Sequence, residues 1–267
     1  MKKILIIAGW IALFGGLIFL MSFAVHAHAV RKCGKTEILI ERKTADLFIQ
    51  NADVEKLLAD HHCSPEGEEL SAVDIPALEK LLLSHPAVEA CEVFMTVSGN
   101  VQIQIKQRRV IARFITLSGE SYYADDRGFL MPWSDEYTAP VIVVNGEFGD
   151  SYAGMYQRSL AAMNPDSILV TKTKLDDCWQ LIRRIDADTF LRAQLVQLYY
   201  SADKGFVLIP RIGDQSIIFG EASDIDEKFR KLQIFYREGL DRTGRWNEYR
   251  TIDLQYKNQV VCTKKTN

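Results

Sequence analysis

The chain is short of the patterns around which enzymes are commonly built. It has no glycine-rich phosphate loop, no dinucleotide glycine pattern, no G-x-S-x-G and no H-E-x-x-H. Histidine also stops early: all five lie before residue 86, two beside the N-terminal apolar run and three at expected helix ends. A Ser or Cys nucleophile in the later part of the chain therefore has no imidazole base. The five cysteines, Cys33, Cys63, Cys91, Cys178 and Cys262, are odd in number and show no C-x-x-C spacing, which excludes a legible disulfide framework or zinc knuckle. His61, His62 and Cys63 are adjacent, but neighbouring side chains on a helix diverge by ~100° and rarely converge on one ion. Asp125-Asp126 reads as turn chemistry with Gly128, and Asp176-Asp177 as charge at a helix start. No catalytic residue, cofactor or metal is assigned, and no enzyme is expected. Basic charge is not in excess either, with 32 Lys and Arg against 35 Asp and Glu. That argues against a nucleic-acid partner, which needs a basic face to neutralise phosphates.

What is present begins with Ile4 to Val25, an uncharged apolar run preceded by Lys2 and Lys3. At about 1.5 Å per residue it spans roughly 33 Å as a helix, enough for a ~30 Å hydrocarbon core. A retained anchor is the expectation, with a cleaved signal peptide ending at Ala27-His28-Ala29 as the alternative; the run exceeds the ~7 to 15 residues of a usual signal core. Lysines and arginines flank both sides, so charge alone leaves the orientation open.

The body reads as α+β. Thr36 to Arg42 alternates like a strand, Asn51-Ala52-Asp53 supplies cap chemistry for a helix carrying Val54, Leu57 and Leu58, and Asp74-Ile75-Pro76 opens a second helix. Two strands follow, turning at Ser98-Gly99-Asn100, with Val101, Ile103 and Ile105 inward. This is β-α-α-β-β, the order of a POTRA module, with Ile38, Ile40, Leu57, Leu81, Val93, Ile103 and Ile105 expected to share a core. Beyond it come mainly strands: VIARFITL, SYYADDRGFLMP with a turn at Asp125 to Gly128, PVIVVNG, QLVQLYYS, GFVLIPRI and QSIIFG, with Gly213-Asp214 as a two-residue turn. Helices are expected at about Leu175 to Ile185 and Ile225 to Gly239, and one final strand at TIDLQYKNQVVC. Phe235, Tyr236, Trp246, Tyr249 and Tyr256 read either as packing around that strand or as recognition anchors.

His85-Pro86-Ala87-Val88-Glu89-Ala90, Ile103 to Arg113 (IQIKQRRVIAR), Tyr122 to Pro132 (YYADDRGFLMP) and Ile252 to Tyr256 (IDLQY) resemble the FtsQ/DivIB family of bacterial cell-division proteins over nearly the whole chain. The family's E-R-x-P junction is Gln107-Arg108-Arg109-Val110 here, and the basic residue of its I/V-D-L-R-Y strand is Gln255. The resemblance implies a cytoplasmic tip (1–3), a transmembrane anchor (4–25), a linker (26–35), a POTRA module (36–108), a β-rich domain with two or more helices (109–262) and a tail (263–267). It further implies a single-pass inner-membrane protein with its bulk in the periplasm, a non-enzymatic divisome scaffold for septum formation that binds FtsB-like and FtsL-like proteins. The expected partner-binding residues are Trp246, Tyr249, Asp253, Leu254, Gln255, Tyr256, Lys257, Asn258, Gln259, Val260 and Val261, on an edge open to β-augmentation. Rival readings are a POTRA-bearing chaperone or outer-membrane assembly factor, and a periplasmic hydrolase released by signal cleavage.

Overall fold

Period-2 alternation sets the first unit. A computed structural model describes residues 10, 13–21, 31–134, 137–147 and 174–265, and it divides into units at Gln107 and Arg108. Unit one holds β1 (Thr36–Glu41), α1 (Asn51–Asp60), α2 (Ile75–Leu83), β2 (Val88–Met95) and β3 (Val101–Gln107). β3 is central, parallel to β1 and antiparallel to β2. Its residues alternate strictly between buried and half-buried, and Val101, Ile103 and Ile105 are sealed against the helices with Val54, Leu58, Leu78, Leu82 and Val93. Ile38, Ile40, Leu57 and Leu81 are only half-buried and sit at the margin of that core.

The start of α1 differs from expectation. Asn51 is already helical, Gln50 is the cap, and Asp53 reaches back to accept the Gln50 N–H at 2.7 Å, one arm of a capping box. Asp74 caps α2 as expected, accepting from the Ala77 N–H at 3.1 Å, and Pro76 sits in the first turn where no N–H is needed. Within the expected anchor, Trp10 and residues 13–21 are helical and the rest lies outside the described residues. Among the described residues no helix is long and apolar enough to cross a membrane.

Among the described residues, unit two is built on one nine-stranded mixed sheet. Its elements are β4 (Val110–Ile115), β5 (Ser121–Asp125), β6 (Leu130–Pro132), β7 (Ile142–Gly146), α3 (Leu175–Asp186), α4 (Thr189–Gln194), β8 (Leu195–Ser201), β9 (Gly205–Pro210), β10 (Ser216–Gly220), α5 (Ile225–Ile234), β11 (Tyr249–Asp253) and β12 (Val261–Lys264). The order across the sheet is β12-β11-β10-β9-β8-β7-β4-β5-β6. Alternate strand residues, among them Phe114, Tyr122, Val144, Leu198, Phe206, Phe219 and Ile252, form one core with Trp179, Ile182 and Ile185 of α3 and Phe229 and Leu232 of α5. The start of the unit is pinned electrostatically. Arg109 grips Asp186 with two nitrogens (2.9 and 2.6 Å) and Asp126 with a third (3.1 Å), while Arg108 pairs with buried Asp125 at 2.8 Å. Asp125 also accepts the Arg127 and Phe129 N–H groups, so it closes the hairpin rather than forming an acid pair.

Three expectations are corrected here, and one element is new. The β9–β10 connection is Arg211 to Gln215, with Gly213 at φ +90°, not a two-residue turn. A short helix, α4, is unforeseen. The helix expected to reach Gly239 is α-helical only to Ile234, and Phe235–Asp241 continues as wider π turns. The expected final strand is two strands, β11 and β12, which pair antiparallel.

Candidate partner-binding edge

β11 is no edge: it pairs with β10 in parallel through Thr251, Ile252 and Asp253, and with β12 on its other side. The edge is β12. Lys265 donates its N–H inward to the Glu248 carbonyl at 2.9 Å. Because backbone direction alternates along a strand, Cys262 and Lys264 turn their N–H and C=O groups outward. Among the described residues no strand meets that outer side. Val261, Thr263 and Lys264 are exposed, and Cys262 is half-buried opposite Ile252.

The expected site residues divide between this hairpin and its connection. Asp253 ends β11, registered between Ile218 and Val261. Its carboxylate accepts the Gln255 N–H at 2.9 Å, which turns the chain out of the sheet. Leu254 is fully buried and donates to the Ile218 carbonyl at 2.9 Å. Gln255, Tyr256, Lys257, Asn258 and Gln259 are exposed loop residues, Tyr256 at 49%. Asn258 reverses the chain at φ +58°, a conformation that asparagine tolerates better than most residues. Val260 packs back on the core and Val261 begins β12.

Lys231 on α5 fixes this connection. Its ammonium donates to the Leu254 carbonyl at 2.9 Å and the Tyr256 carbonyl at 2.7 Å. One cation thus satisfies two carbonyls that have left the ladder. The signal for it lay in no motif, because the partner of Lys231 is backbone over twenty residues away.

Trp246 and Tyr249 belong to the other end of the hairpin. Tyr249 opens β11 opposite Lys264 and meets Phe235 edge-on at 5.9 Å, while Trp246 packs on Tyr236 at 5.4 Å. Tyr256 lies past the other end of β11, whose four residue steps from Tyr249 to Asp253 span about 13 Å at the usual rise. The expected single cluster of Tyr256 with Trp246 or Tyr249 is therefore two clusters. Tyr236 itself is buried. Burial raises its phenol pKa, and the amides of Gln194 and Gln215 oppose that rise.

Residues 109–263 match the family model described as FtsQ/DivIB, C-terminal related, and residues 31–106 match the POTRA-like domain model. A comparison with curated proteins found no match.

Proposed function

The chain belongs to the FtsQ/DivIB C-terminal related family, and from that premise we propose that it is a membrane-anchored, non-enzymatic scaffold of the bacterial division machinery that receives a partner strand along β12. The observation that carries this reading is the outward ladder of Cys262 and Lys264 on an exposed strand that begins within the family-matched region. An incoming strand would gain main-chain hydrogen bonds there, and exposed Tyr256 at the adjoining connection would offer an aromatic contact. FtsB-like and FtsL-like proteins are the proposed partners. Ile4 to Val25 is the proposed single inner-membrane span, with the body in the periplasm, supported by its length and lack of charge.

Capture of an FtsB-like protein by the full chain tests the edge. Lys264→Pro removes an outward N–H without disturbing the ladder to β11. It should weaken capture, as should Tyr256→Ala, with membrane association and folding retained. Undiminished capture by both variants would exclude β12 and its connection as the binding site.

A further inference from the structure

A groove of about 460 Å³ lies in unit two, lined by Phe190, Gln233, Tyr236, Arg237, Asp241 and Trp246. We propose that it receives an apolar side chain presented by an acidic segment of a partner protein. This goes beyond the β12 reading and does not depend on it.

Two local features adjoin the groove. The π turns from Phe235 to Asp241 widen the helix, and wider turns of this kind recur at functional sites. Gly239 sits against the Phe235 ring, where an added Cβ would stand 3.0 Å from ring carbons. The floor is the buried Tyr236 ring, with Phe190 of α4 edge-on to it at 5.8 Å and Trp246 tilted over it at 5.4 Å. Phe190 is 42% exposed and Trp246 half-exposed, so two apolar walls stand open to solvent over a rigid base. Gln233 is held by its bond to Asp188 at 2.8 Å. The size and lining suit one large apolar side chain.

Charge selects the partner. Four cations, Arg237, Arg242, Arg245 and Lys264, share the two carboxylates of Glu238 and Glu248. Arg237 lines the groove, and Arg242 and Arg245 flank its lining in sequence. Their partners are exposed, with Arg237 and Arg242 both on Glu238 and Arg245 on Glu248. Such surface pairs are weak and exchange readily for an incoming carboxylate. A cationic occupant would find Asp241 at the rim but also this arginine belt, which disfavours it.

The test uses the full chain in detergent micelles and a fluorescein-labelled acidic peptide with a central Leu-Phe pair, read by anisotropy. Controls are the same peptide with Ala-Ala at its centre, a lysine version, and an oligo-dT of equal charge. The acidic Leu-Phe peptide should bind best, and its affinity should fall with salt. Phe190→Ala and Trp246→Ala should each weaken binding roughly tenfold. Arg237→Glu should weaken it and flatten the salt dependence. Phe190 is exposed enough for its truncation to leave the fold intact, which circular dichroism checks. Equal binding of the alanine-centred or lysine peptide, or of oligo-dT, overturns the proposal, as does indifference to Phe190→Ala. Loss of binding on Lys264→Pro but not on Phe190→Ala would place the peptide on β12 and overturn the groove. Self-association of the wild type that Phe190→Ala abolishes would make a second copy the occupant, and overturn it too.

Discussion

Gln107 closes β3 at the position where the family's junction is usually acidic. Its side chain accepts the Ile49 N–H at 3.3 Å and donates to the Asp46 carbonyl at 3.1 Å, fully buried. A carboxylate can only accept, so Gln107→Glu would set a negative charge against a carbonyl oxygen. The expected cost is about 1 to 3 kcal/mol, measurable by denaturant unfolding. Gln107 is thus a solution to a local donor requirement, which no pattern of residue types reveals. His85, in the same unit, is half-buried, and its Nδ1 accepts the Ala87 N–H at 3.3 Å. That role needs a neutral ring. Burial lowers its pKa below 6.5, with Asp53 opposing the shift. The unfolded chain therefore takes the proton first as pH falls. Stability is full above about pH 6.5 and declines below it, down to the folded pKa. His85→Gln should flatten that decline in melts between pH 7 and 5; an unchanged slope would locate the titration elsewhere.

Among the elements, those whose residues alternate against one core were legible. β3 announces itself through Val101, Ile103 and Ile105, and Ile103→Ala should cost about 2 to 5 kcal/mol, since Ile103 is fully buried. The elements misread are those decided by a single side-chain contact with the backbone. β11 and β12 read as one strand because no glycine or proline interrupts TIDLQYKNQVVC. The break comes from the Asp253 carboxylate on its own Gln255 N–H and from Asn258 at positive φ. α4 went unseen because six residues are too few for a 3.6-period stripe. Its signal is the cap: Asp188 accepts the Phe190 and Leu191 N–H groups at 3.0 and 3.1 Å. Asp188→Ala should cost about 1 kcal/mol and loosen Phe190. The site followed the same division. Strand residues were legible near Thr251 to Cys262, but which strand lies outermost was not, because pairing belongs to register and not to composition. Lys231→Met should speed amide exchange across residues 254–260 while leaving β11 protected. Unchanged exchange would mean that Lys231 is not what holds the connection.

At the scale of the whole molecule, the division at Gln107 and Arg108 coincides with the interval between the two family matches. The proposed anchor gives a test of topology. Protease added to spheroplasts should digest the chain beyond Arg31 while a cytosolic marker survives; protection of both would reverse the orientation. The two ends of the nine-stranded sheet are unalike. β6 is three residues long and stops at Pro132, which has no N–H to offer. β12 is open, yet it carries Lys264, with Lys265 next to it. Two copies meeting edge to edge along β12 would bring lysines together, whereas a strand bearing carboxylates would not. Of the two described sheet ends, β12 is thus the better suited to an added strand, and one bearing carboxylates fits it better than a second copy of β12. The stoichiometry expected from this asymmetry is one partner strand per chain.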